Sequence, residues 1–208
     1  MKSITQISIT NQILIFALSL ITLRIFKVEN IGVLFLIWNL FLAWLPLFFI
    51  QQMDVFKSNY WKISILFLTI LFLPTSIYIF TDIFHLKKNL AAPIWYDLVL
   101  FLTFSILGMI YFSKTLKLIM ENLRLFIFKE QNLKLIKISL IFLCSFGVYL
   151  GRFLRLNSWD LFTKPTYIFE KMNESFQDGK FLEIVQVTFI FGIFIYFINE
   201  ILEKKIEN

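Results

Sequence analysis

The sequence predicts an all-α, polytopic transmembrane bundle of about six spans, and three observations carry that expectation. Apolar residues make up 59% of the 208 residues and charged residues only 16%, whereas soluble domains lie nearer one half and about one quarter. The mean hydropathy is +0.78. The apolar residues also fall in runs near the ~20 residues that cross a bilayer as helix. These runs are continuous and not alternating, so they do not read as strands of a membrane barrel.

The first span, about 8–25, carries Asn11 and Gln12 and is the weakest of the six. It follows an early Lys2 but no small-residue cleavage site, so it reads as a retained helix and not as a removed signal. The second, 31–51, includes "IWNLFLAWLP", which puts Asn39 near mid-bilayer and Pro46 in a span. A buried amide at that depth needs a protein partner, and each proline frees a carbonyl that a neighbour must satisfy. The third, 62–80, holds Pro74; the others run about 97–113, 135–152 and 184–202. No repeat and no Pro/Gly/Ser-rich linker divides the chain, so residues 1–208 are expected to form one domain.

Two connections are longer. Residues 114–137, "KTLKLIMENLRLFIFKEQNLKLIK", space their basic residues helically. They either prolong spans four and five as a helical hairpin or lie on the membrane as an interfacial helix. Residues 161–183 place Pro165 at a helix start and Ile168, Phe169, Met172 and Phe176 on one face, ending near Gly179. That is an amphipathic surface helix by pattern. An N-in, C-in orientation leaves eleven Lys and Arg on the cytoplasmic side and nine on the other. The dense cluster at 114–137 points the same way.

Parity then brings "TDIFHLKKNLAAPIWYD" and "GRFLRLNSWD" to one side, extracytoplasmic on this orientation. Asp82, His85, Tyr96, Asp97, Arg152, Arg155, Asn157, Trp159 and Asp160 can gather there. Tyr78, Asp82 and His85 form one stripe if span three stays helical past Phe80, and Arg152, Arg155 and Trp159 share a face likewise. Gly147 and Gly151 make a G-x-x-x-G that admits a neighbouring helix.

Each residue also has a plainer reading. The five tryptophans suit interfacial belts, and Lys87 and Lys88 suit solvated or snorkelling charges. His85 alone suits a hydrogen-bonded structural role. Asp97, before "LVLFLTF", suits a helix N-cap. Arg152 and Arg155 can pair with Asp160 or with lipid phosphates. Taken together, three carboxylates, an imidazole, a phenol and two guanidinium groups are costly in a membrane interface and point to a site.

The blocks "WNLFLAWLP", "FLPTSIYIFTDIFHL", "WYDLVLFL" and "GVYLGRFLRLNSWD" arrive in an order that resembles the bacterial integral-membrane family catalogued as domain-of-unknown-function 1361. The resemblance implies a multi-spanning protein of a bacterial cytoplasmic membrane with no assigned activity. Its motif residues map onto Trp38, Asn39, Trp44, Pro46, Pro74, Tyr78, Asp82, His85, Trp95, Tyr96, Asp97, Gly151, Arg152, Arg155, Asn157, Trp159 and Asp160. The family's usual Asn-Ala-Pro after the third-span proline is replaced here by Thr75-Ser76-Ile77.

Three functions suit this constellation. In an envelope enzyme, Asp82, His85, Asp97 and Asp160 are the candidate catalytic residues. Asp82 and His85 are the candidate ligands of a divalent cation, Mg²⁺ or Mn²⁺ by their oxygen-rich chemistry. A three-histidine zinc site is excluded, because the chain has one His. In a lipid-binding protein or small transporter, Arg152 and Arg155 hold an anionic lipid, a lipid-linked substrate or a solute, with Tyr78, Tyr96, Asn157, Trp159 and Asn39 around it. In an accessory subunit, the patch docks an envelope partner or only stabilises helix packing. Nucleic acid is not an expected partner, since the basic residues are scattered through loops. Cys144 is the only cysteine, which excludes an intrachain disulfide.

Overall fold

A computed structural model describes residues 8–29, 31–56, 58–88, 92–125, 129–177 and 179–206. The side chains of Lys87, Lys88 and Lys205, and the whole of Lys2 and Lys57, lie outside what is described. All regular structure among the described residues is helical. The helices are α1 (Ile9–Val28), α2 (Phe35–Gln51), α3 (Asn59–Tyr78), α4 (Ile94–Arg124), α5 (Glu130–Phe153), α6 (Asp160–Thr163), α7 (Pro165–Gln177) and α8 (Phe181–Ile206). Short 3-10 helices follow α1 and α2, and a longer one, Ile79–Lys88, continues α3. Six helices are long and apolar enough to cross a membrane. The chain is a multi-pass membrane protein with an all-α bundle.

The central element is α4, where Leu100, Phe104, Leu107, Leu116 and Ile119 are fully buried. Helices α1, α2, α3 and α8 all pack on it. α3 packs against α2 and α5, and α8 lies on α5 as the span with least of its surface covered. At about 1.5 Å per residue, the 31 residues of α4 exceed any hydrocarbon core. α4 and α5 thus extend past the expected 97–113 and 135–152, so the described parts of the 114–137 connection on either side of 126–128 are helical, as the hairpin alternative expects. No glycine or proline interrupts it, and Leu116 and Ile119 carry the core into the extension.

Small residues set the spacing of α3 and α5. A Cβ on Gly147 would lie 2.7 Å from Pro74 Cγ, and one on Gly151 would lie 3.1 Å from the Tyr78 ring. The G-x-x-x-G is therefore a contact face, matched by Pro74 and Tyr78 at the same four-residue spacing. The prolines are matched too. Pro46 deprives the Leu42 carbonyl of its helical donor, and Thr75 Oγ1 stands 2.8 Å from it, sharing its one proton between this carbonyl and that of Phe72 at 2.6 Å. Ser76 Oγ donates to the next carbonyl, Ala43, at 2.6 Å. Thr75-Ser76 thus ties α3 to α2.

Two local expectations need correction and a third is refined. Beyond Tyr78 the chain is 3-10 and not α-helix, so its side chains follow a three-residue repeat and the i, i+4, i+7 stripe does not form as drawn. α5 ends at Phe153, and Arg155 takes a left-handed conformation with φ 57°. Arg152, Arg155 and Trp159 therefore share a turn, not a helix face. In α7, which does begin at Pro165, the covered side is Ile168, Met172 and Ser175. Phe169 and Phe176, 73% and 46% exposed, lie on the same apolar face at the edge turned away from the bundle, as on an amphipathic surface helix. The polar Ser175 takes the inner position because it continues the i, i+4, i+7 line from Ile168.

Candidate functional site

α3 and its 3-10 extension form the floor of a groove on the side of the bundle, with α2 and α5 as its walls. Its volume is about 920 Å³. Its apolar wall includes Leu42, Phe67, Ile70, Leu71, Leu143, Phe146 and Leu150. The polar lining is Asn39, Tyr78, Asp82, His85, Arg152 and Arg155, with Asn157 and Trp159 in a turn that reaches down α3 to Leu71. The turn after α5 roofs it, fixed by Ser158 Oγ, which donates to the Leu71 carbonyl at 3.0 Å beside Pro74. Leu161 of α6 and Ile168 of α7 complete the rim.

Four of the polar residues bond to one another. Asn39 Nδ2 donates to Asp82 Oδ2 at 2.7 Å, which gives the mid-span amide the partner it requires. Arg152 lies 3.7 Å from Asp82 Oδ1 and 3.1 Å from His85 Nε2. A guanidinium only donates, so this contact is a hydrogen bond when Nε2 is the bare nitrogen of a neutral ring. The Arg152 guanidinium also sits 5.3 Å above the Phe84 ring, and His85 meets Phe35 edge-on at 5.3 Å. Asp82 is 1% exposed, and its Oδ1 has no hydrogen bond.

The other predicted site residues lie elsewhere. Asp97 does not cap α4, whose N-cap is Pro93; it stands one turn inside. Its carboxylate takes a bidentate pair from Arg24 of α1, at 2.6 Å and 3.0 Å. Beside it Tyr96 donates its hydroxyl to the Leu20 carbonyl at 2.7 Å. Both residues fasten α1 to α4, and neither lines the groove. Asp160 folds back on its own turn, where it accepts from the Asn157 backbone N–H at 2.7 Å and from Asn157 Nδ2 at 3.2 Å. Arg152 pairs with Asp82 and not with Asp160, because α5 ends facing the 3-10 extension.

A divalent cation does not fit the residues as arranged. Among the described residues no three of His, Cys, Asp and Glu come together in a way that holds a metal. At the groove Asp82 and His85 already face the Arg152 guanidinium, which stands where a cation ligated by both would stand.

A family model described as "Protein of unknown function (DUF1361)" matches residues 38–198. The chain belongs to this family. No curated protein and no solved structure matches it. Within DUF1361 the matched residues contain every groove residue except Phe35. Arg24 and the rest of α1 precede them. The family's description assigns no activity, so the chemistry must be read from the groove.

Sequence reasoning missed Arg24, Thr75, Ser76, Ser158 and the apolar wall. Arg24 had a signal, since a charge so close to an apolar run implies a partner in the bundle. Hydroxyls beside a span's proline were the signal for Thr75 and Ser76. The wall had none, because its residues look like every other apolar residue in the chain.

Proposed function

We propose that the groove binds an anionic amphiphile drawn from the bilayer, either a lipid or a lipid-linked substrate. On the Lys/Arg orientation its polar end faces the extracytoplasmic side. One observation carries this reading: guanidinium groups and a long apolar wall share a single groove that opens sideways. Trp38, Phe67 and Leu143 line it while remaining 55%, 52% and 53% exposed. Residues 67 to 78 of α3 run ~16 Å at ~1.5 Å per residue and the 3-10 turn to Asp82 adds ~8 Å at ~2 Å per residue, enough for an extended chain beside a charged head. Ligand sites of this kind combine an apolar lining with a few convergent polar groups.

The Asn39–Asp82–Arg152–His85 chain supports a narrower role for those four residues. They satisfy one another and join α2, the 3-10 extension and α5, so they act as the frame of the polar end. The test is lipid retention by the detergent-purified protein, read by mass spectrometry, for wild type and Leu71→Trp. The tryptophan fills the wall, and anionic lipid retained by wild type is expected to be lost at an unchanged melting temperature. Equal retention in both proteins overturns the reading.

A further inference from the structure

Resting on that groove, we infer that its ligand is a lipid whose head carries a phosphodiester monoanion, and that Arg155 is the residue that takes the phosphate. The first argument is charge. The groove is lined by one carboxylate, Asp82, and two guanidinium groups, Arg152 and Arg155. His85 meets Arg152 through Nε2, and when that nitrogen accepts from the guanidinium the ring is neutral and adds no charge. Two positive groups against one negative leave a single positive charge. One negative charge on the ligand balances it; a zwitterionic head leaves it unmatched as a whole.

The second argument is which groups are already occupied. Arg152 is held by His85, Asp82 and the Phe84 ring. Arg155 is exposed at the groove's mouth, and no carboxylate pairs with it among the described residues. Tyr78 of α3 and Trp159 of the turn after α5 line the same groove, and each side chain carries one donor. The oxygens of a tetrahedral phosphate diverge and can reach several such donors, whereas a carboxylate presents two oxygens in one plane to a single fork.

The third argument is the backbone at Arg155. The left-handed residue that closes a helix is usually glycine, which meets no Cβ penalty there. This chain keeps arginine at φ 57°, with the Leu156 N–H reaching back to the Leu150 carbonyl at 3.1 Å. Glu29 closes α1 in the same left-handed conformation, and of the two residues Arg155 is the one that borders the groove.

The test is a native mass-spectrometric titration of the full chain, delipidated in detergent. The probes are dioleoylphosphatidylglycerol, dioleoylphosphatidylcholine, oleate and chain-free glycerophosphoglycerol. Wild type is expected to prefer phosphatidylglycerol about tenfold over the other two lipids and to ignore the chain-free headgroup. Arg155→Gly is expected to erase that preference while melting at or above wild type, and Arg155→Asn, which also tolerates the left-handed conformation, should behave alike. Lys171→Ala on α7 removes a basic charge outside the groove and should change nothing. If wild type binds none of the lipids, the groove reading itself falls. Oleate matching phosphatidylglycerol, or Arg155→Gly keeping the preference, overturns this inference and leaves the groove standing. Chain-free headgroup binding as tightly as the lipid overturns the lipid as source.

Discussion

Two Arg–Asp pairs lie within the bundle, and they differ in nearly everything but residue type. Arg24–Asp97 is closed: both side chains are essentially buried, 1% and 2% exposed, and the carboxylate is gripped at 2.6 Å and 3.0 Å. Arg152–Asp82 is loose at 3.7 Å, with the arginine 13% exposed toward an open groove. The first pair lies outside the groove and ties α1 to α4, and its Arg24 Nη1 is buried without a hydrogen-bond partner among the described residues. The second leaves Asp82 Oδ1 without a hydrogen bond and stands in the groove with Arg155, which no carboxylate pairs among the described residues. Pairing of charges in a membrane protein therefore does not by itself mark a site. Space beside the pair does.

The largest effect expected on either side of this comparison comes from breaking the closed pair. Asp97→Ala strands a buried guanidinium and should cost about 3–5 kcal/mol, read as a lowered melting temperature in detergent. The double variant Arg24→Met with Asp97→Leu should recover most of that loss. If the single variant melts like wild type, the pair is not the fastening described. Next comes the floor of the groove. Thr75→Val keeps the shape but leaves the Leu42 carbonyl freed by Pro46 without its donor, at about 1–2 kcal/mol. Its lipid preference should survive, which separates the frame from the head contacts.

A smaller stability change is expected at the loose pair. Asp82→Asn can still accept from Asn39, so it should cost only about 1 kcal/mol. Its main effect is on selection, because the groove then carries two positive charges unopposed. Binding of doubly charged phosphatidic acid relative to phosphatidylglycerol should rise about threefold. A collapse of folded protein instead would show that both pairs are structural. The smallest effect is assigned to Lys171→Ala, whose ion pair with Glu174 is at the surface; both melting and lipid binding should match wild type.

Much of the fold was legible in the chain. Six apolar runs of spanning length gave six helices, and the side-by-side placement of the loops after spans three and five followed from parity. The mid-span Asn39, costly in lipid, correctly implied a protein partner. Gly147 and Gly151 correctly implied a close helix contact. Part of the candidate site was legible too, since Tyr78, Asp82, His85, Arg152, Arg155, Asn157 and Trp159 do meet. Tyr96 and Asp97 were misplaced for a physical reason. Loop parity fixes the side of the membrane on which a residue lies but not its position around the bundle, and these two face α1.

Sequence alone determined the solvent this protein lives in and the number of helices long and apolar enough to span it. Those follow from transfer free energies and from the fixed rise of a helix, which are local properties of each run. Tertiary structure decided which helix faces which, and so which arginine is closed by Asp97 and which borders a groove. That choice rests on contacts between residues far apart in the chain: Gly147 against Pro74, Thr75 on the carbonyl that Pro46 frees, and Arg24 on Asp97. No single run contains both halves of any of them.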